Sequence, residues 1–165
     1  MLIIFSGLSG VGKTSIAREL ATAAGAVHLR IDSIEQALRA CGWTLEGEGY
    51  AVAYAVAEDN LRLGRIVIAD SVNPWPLTRN AWRAVATRAG VRAVEIEIVC
   101  SDTEIHRHRV ESRVADIPGH VLPTWTDVIE RDYRRWDGDR VVIDTATQDV
   151  RRSVEEILAA IRPTE

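Results

Sequence analysis

Residues 7–14 read Gly7-Leu8-Ser9-Gly10-Val11-Gly12-Lys13-Thr14, an instance of the pattern G-x-x-x-x-G-K-[ST]. The apolar run Leu2-Ile3-Ile4-Phe5 precedes it, and an alanine-rich, helix-compatible stretch follows it. A strand that turns through glycines directly into a helix is the setting in which this pattern forms an anion cradle. Gly7, Gly10 and Gly12 let the backbone curl so that successive N–H groups face an anion, and the helix start adds the positive end of its dipole. The bland alternative is a glycine-rich turn between a strand and a helix, but residue types, spacing and flanking pattern all agree with the cradle.

The cradle holds the only lysine of the chain: of 20 Lys and Arg residues, every one but Lys13 is arginine. A bias toward arginine accounts for the other positions. The surviving lysine therefore marks a place where a compact ammonium does what a planar guanidinium cannot. In this setting Lys13 reaches the β- and γ-phosphates of ATP, and the Thr14 hydroxyl coordinates Mg²⁺. Gly7, Leu8, Ser9, Gly10, Val11, Gly12, Lys13, Thr14 and Ser15 form the expected nucleotide-binding set.

Short apolar runs suited to buried strands recur at 2–6, 26–31, 65–69, 93–99 and 141–143. Helix-compatible stretches lie between them. Residues 14–24 end at Gly25; residues 49–63 place Val52, Val56 and Leu63 near one face and end at Gly64; residues 80–89 stop at Gly90. Further stretches span 102–114, 125–136 and 150–161, the last before Pro163. This alternation predicts a parallel sheet of five strands covered by helices on both faces, a three-layer α/β fold; the phosphate cradle makes it an expected P-loop NTPase fold, for which the order 2-3-1-4-5 is expected. With 165 residues, 47% of them hydrophobic, the chain can bury one core, so 1–165 is expected to be a single domain. The irregular segments 41–49, 73–77 and 116–123 can border a ligand crevice at the carboxyl ends of the strands.

A formal net charge of −4 argues against a general affinity for nucleic-acid backbones. The chain opens on its apolar run with no basic region before it, and it has no apolar stretch long enough to span a bilayer. A cytoplasmic protein is expected, with oligomeric state open. Cys41 and Cys100 are too few for a disulfide framework and read as free thiols.

Two aspartates end apolar runs. Asp32, in Ile31-Asp32-Ser33-Ile34-Glu35-Gln36-Ala37-Leu38, is placed to act as base or orienter for an acceptor hydroxyl; as an equal alternative it caps the helical pattern that follows. Asp70 closes Ile66-Val67-Ile68-Ala69-Asp70, where a carboxylate beside the cradle can hold a magnesium-bound water or, alternatively, accept hydrogen bonds from the backbone at 71–73. Together with Ser71 and with Val142-Ile143-Asp144-Thr145, these segments resemble the chloramphenicol phosphotransferase-like P-loop kinases. That branch sits among small AAA-type ATP-dependent kinases that include gluconate-kinase-like and polynucleotide-kinase-like proteins.

The resemblance implies that Asp32 is the base toward the acceptor hydroxyl. It further implies that 144–147, with Thr145 and Thr147, packs against adenine. Asn73 and Arg79 match an asparagine and an arginine that face substrate in related kinases, although a turn asparagine and a solvated arginine fit equally well. Arg109 and Arg113, spaced i, i+4, match arginines that clamp the transferring phosphoryl group beside a short lid at 114–123. Interleaved with Glu104 and Glu111, they also fit a solvated helix, as does Arg107. His106 and His108 lack further metal ligands and read as surface residues. Trp43 and Trp75 fall in irregular segments where one could line an apolar substrate pocket; Trp82, Trp125 and Trp136 read as core or cover.

These expectations converge on an ATP- and Mg²⁺-dependent kinase of a hydroxyl-bearing small molecule. A kinase of nucleosides or nucleic-acid ends would need a basic groove. A nucleotide-dependent switch or binding module would keep the cradle and Asp70 without needing Asp32 as a base.

Overall fold

The computed structural model describes residues 1–136 and 138–162, so the stop assigned to Pro163 lies outside the described residues. Five parallel strands, β1 (Leu2–Ser6), β2 (Val27–Arg30), β3 (Val67–Asp70), β4 (Ala93–Val99) and β5 (Val141–Asp144), line up in the order β2-β3-β1-β4-β5. β1 lies at the centre, with Leu2 opposite Val67 on β3 and Ala93 on β4. Burial on both faces is why this strand reads as an unbroken apolar run.

Its side chains alternate between two cores. Ile3 and Phe5 join Ile68, Ile96 and Ile98 under α1 (Lys13–Ala24) and α7 (Val150–Ile161). Leu2 and Ile4 join Val67, Ala69 and Trp82 under α3 (Glu48–Arg62) and α4 (Pro76–Arg88). The remaining helices are α2 (Ile31–Ala40), α5 (Thr103–Ser112) and α6 (Trp125–Ile129). The fold is thus the expected three-layer α/β P-loop arrangement.

Three sequence expectations need correction. The buried face of α3 is Gly49, Ala53, Ala57 and Leu61, whereas Val52, Val56 and Leu63 are exposed. Small residues at a spacing of four let α3 lie close to the sheet, so close approach outweighs side-chain hydrophobicity here. α4 begins at Pro76 rather than Asn80, since a proline suits the first turn, where its missing N–H is not needed. The helix expected over 125–136 ends at Ile129.

In a longer α6 the Arg134 N–H would donate to the Glu130 carbonyl; instead it donates to Pro74 O (2.8 Å), and the segment is pinned by Arg79. Its guanidinium donates to the carbonyls of Arg134 (2.7 Å) and Arg135 (3.3 Å) while lying over the rings of Trp136 and Tyr133. The same side chain donates to the carbonyls of Asn73 (2.9 Å) and Pro74 (3.3 Å). Arg79 is therefore a fully buried pin between α4 and the 131–136 segment rather than a solvated or substrate-facing group.

The small-residue face of α3 sets a stability test. Ala57→Leu should cost about 1–3 kcal/mol by overpacking, and Val56→Ala should stay within about 0.5 kcal/mol, both read by urea denaturation. A tolerated Ala57→Leu would contradict the close approach of α3.

Candidate active site

The chain leaves β1 at Ser6 and curls through residues 7–12 into α1, with positive φ at Gly7 (139°), Gly10 (84°) and Gly12 (97°). Glycine is required at two of these by contact as well as by φ. A Cβ on Gly7 would strike the Ile98 carbonyl, and one on Gly10 would strike a Val110 methyl.

The carbonyls of the loop are held from outside. Leu8 O accepts Lys13 Nζ (2.8 Å), Ser9 O accepts His106 Nε2 (2.8 Å), and Val11 O lies 2.8 Å from the Thr145 hydroxyl. At the strand end, Phe5 O accepts Asn73 Nδ2 (2.7 Å), and Gly7 N donates to Val72 O (3.1 Å). With its carbonyls turned to protein donors, the loop keeps the concave shape suited to an anion.

A cavity of about 620 Å³ opens on the loop. Ser9, Gly10, Gly12, Lys13, Thr14 and Ser15 line it, whereas Gly7, Leu8 and Val11 shape the loop from behind. Asp32, Asp70, Arg109, Arg113 and Thr145 also face it. Lys13 is only 8% exposed. Burial pulls its ammonium down to about pKa 8; Asp70 and Asp32 oppose that fall, and Arg113 and Arg131 add to it.

Asp70 is buried behind Lys13 and accepts from His28 Nε2 at 3.2 Å. Burial pushes its pKa up, but the hydrogen bond from His28, the Lys13 charge and a hydrogen bond from Thr14 outweigh burial, so its pKa ends below the usual carboxylate value. An anionic carboxylate next to the Thr14 hydroxyl is a hard-oxygen pair suited to Mg²⁺ shared with phosphates. Asp32 sits in the first turn of α2, whose N-cap is Arg30. It is therefore not the cap, and its carboxylate stays 42% exposed at the cavity, 3.9 Å from Arg30 Nη2.

The arginines divide. Arg109 donates to the hydroxyl (2.8 Å) and carbonyl (3.0 Å) of Thr145, which ties α5 to the turn after β5. Arg113, just past α5, lines the cavity close enough to Lys13 for their charges to interact. Arg107 points away and pairs with Glu111 at 2.8 Å. Of the irregular segment 113–124, Arg113, Val114 and Asp116 line the cavity, and Asp116 accepts both terminal nitrogens of Arg30 (2.8 and 3.0 Å) and bonds Arg18.

Several residues sit elsewhere than sequence reasoning put them. His106 is buried, holds Ser9 and meets Trp125 edge-on at 5.2 Å, while His108 is exposed. Asn73 braces β1 from a turn with φ 46°. Trp43 and Trp75 are exposed and do not line the cavity; Trp75 Nε1 donates to Asp132. Thr147 is exposed outside the cavity, with its hydroxyl on the Asp144 carbonyl. His28 and Asp116 carried no sequence signal, because their partners lie 42 and 86 residues away.

A glycine cradle on the central strand, with a buried lysine and an aspartate on the neighbouring strand, defines a small P-loop domain of the kinase-like type. The family model described as AAA domain matches residues 2–131, and the chain belongs to that family. No curated protein matches the sequence. Among solved structures, a protein of Chloroflexus aurantiacus j-10-fl described as a kinase is 22% identical with a TM-score of 0.77, covering 98% of both chains. The Mycobacterium tuberculosis APS kinase in complex with AMPPNP and APS is 19% identical with a TM-score of 0.73, covering 96% of this chain and 95% of that one. A gluconokinase from Sinorhizobium meliloti 1021 is 21% identical with a TM-score of 0.66, covering 95% and 89%. At these identities the three show the fold. Among the described residues, no helix is long and apolar enough to cross a membrane.

Because Lys13 is the only lysine, its titration is directly observable. Protein labelled with ¹³Cε-lysine should give one resonance with a midpoint near pH 8 in the absence of nucleotide, below the ordinary 10.5. A midpoint at the ordinary value would contradict burial of this ammonium.

Proposed function

We propose that this chain is an ATP-dependent kinase that transfers the γ-phosphoryl group to a hydroxyl of a small molecule. The observation that carries this reading is the Asp32 carboxylate. It is released from helix capping, open to the cavity and on the same cavity wall as the loop and Lys13. A nucleotide switch would have no use for such a group.

In this reading the loop N–H groups and Lys13 hold the β- and γ-phosphates, and Thr145, set by Arg109, meets the adenine side. Mg²⁺ held by Thr14 and Asp70 would neutralise phosphate charge when bound. His28 keeps Asp70 oriented. Asp32 accepts the acceptor's proton as the acceptor oxygen bonds to the γ-phosphorus, and the bond from phosphorus to the β–γ bridging oxygen breaks to release ADP. Arg113 faces the transferring group and stabilises its charge, while Arg109 acts through its hold on Thr145. This chemistry needs positioning and charge neutralisation rather than a covalent enzyme intermediate.

Asp32→Asn should lower phosphoryl transfer by about 10²–10⁴-fold, the scale of general-base loss. Its ATP affinity should change little, and its stability should fall by less than about 1 kcal/mol, the worth of one acidic charge in a first helical turn. Transfer at the parent rate in the folded variant would remove Asp32 from the mechanism.

A further inference from the structure

Arg30 is the least solvated arginine on the cavity wall. It closes β2, is 5% exposed, and directs both terminal nitrogens at one carboxylate, that of Asp116. Its Nε has no partner. Arg18 on α1, 56% exposed, contacts the same carboxylate. The two halves of this pair differ in how firmly they are built in. The guanidinium belongs to the sheet, whereas Asp116 is 38% exposed and arrives from the irregular segment between α5 and α6. The carboxylate is the removable part. A buried guanidinium left without an anion is strongly destabilising, so an anion must replace any that departs.

Resting on the kinase reading above, we propose that Arg30, with Arg18 beside it, is the seat for an anionic group on the phosphoryl acceptor, and that Asp116 fills this seat while no acceptor is bound. The shared chemistry is a planar or tetrahedral oxyanion, a carboxylate or a phosphate ester, which a guanidinium fork grips in bidentate fashion. Arg30 Nη2 is 3.9 Å from Asp32 Oδ2. An acceptor anchored at the seat therefore presents a hydroxyl a few bonds away to the base.

The charge on the wall agrees with this. Lys13, Arg18, Arg30, Arg109 and Arg113 face Asp32, Asp70, Asp116 and Asp149. When Asp116 swings out, the cavity has two more cations than anions before any ligand enters. Asp116 competes as an anion at all ordinary pH values, because its hydrogen bond to Arg30 holds its pKa far below the usual carboxylate range. A neutral polyol offers Arg30 nothing in exchange and would leave the pair closed.

The test uses inorganic phosphate as a shapeless probe, titrated calorimetrically into protein saturated with Mg²⁺ and AMPPNP so that the loop is occupied. Asp116→Ala should bind phosphate at one site at least about tenfold tighter than the parent, since an intramolecular competitor at roughly millimolar effective concentration is gone. The double variant Arg30→Gln/Asp116→Ala, which leaves no unpaired buried charge, should lose that site and still fold. Equal phosphate binding by Asp116→Ala and the double variant would overturn the seat.

A second arm offers the parent Mg²⁺, ATP and three matched acceptors: glycerol 3-phosphate, glycerate and glycerol. Preference between the first two tells a phosphate-ester seat from a carboxylate seat. Transfer to glycerol that the double variant retains would overturn the seat while leaving the kinase reading intact. Phosphate binding at the seat, with the γ-phosphoryl group reaching water alone across a broad pool of hydroxyl compounds, would keep the oxyanion seat and remove the kinase reading.

Discussion

The site depends on a lysine ammonium held almost out of water. Lys13 reaches back to the Leu8 carbonyl and stands between Asp70 and Asp32, and those carboxylates offset part of what burial costs. The position is tolerable only because the loop curls tightly around it, and the curl requires glycine where the backbone meets Ile98 and Val110. The two carboxylates compensate this charge only in part, and phosphate oxygens at the loop would add to that compensation.

Support for the loop comes from remote parts of the chain. Thr145 after β5, His106 on α5 and Asn73 after β3 each engage a carbonyl of β1 or the loop. Each of these bonds turns an acceptor outward and keeps the anion face free of carbonyl oxygen. Arg109 extends the same scaffold by fixing Thr145 through both its hydroxyl and its carbonyl. The geometry suited to phosphate is therefore held by the protein's own hydrogen bonds, the kind of arrangement that lets electrostatic stabilisation act with little reorganisation.

Much of this was legible in the sequence because it is local. The loop, the five apolar runs and Asp70 at the end of a strand are contiguous patterns; their alternation with helices implies a parallel sheet, and the P-loop resemblance implies its order. What failed was decided by packing between distant segments. The alanine face of α3 is buried in place of its valines because the helix lies close to the sheet. The 131–136 segment leaves helix with its Arg134 N–H bonded to Pro74 and its Arg134 and Arg135 carbonyls bonded to Arg79, partners more than fifty residues away. Asp32 escapes the cap role because α2 starts at Ile31, with Arg30 as N-cap, two residues earlier than an Asp32 cap would set it. The Arg30–Asp116 and His28–Asp70 pairs join residues whose separation in sequence hides them.

In the proposed reaction the phosphoryl group goes to an acceptor hydroxyl rather than to water. The direct measurement incubates the protein and Mg²⁺ with ATP carrying ¹⁸O-labelled γ-phosphoryl oxygens and a pool of hydroxyl-bearing metabolites, nucleosides and antibiotics, and follows the label by mass spectrometry. The label should appear in a new phosphate monoester as ADP forms. Label found only in inorganic phosphate, or left in ATP across the whole pool, would contradict that reaction.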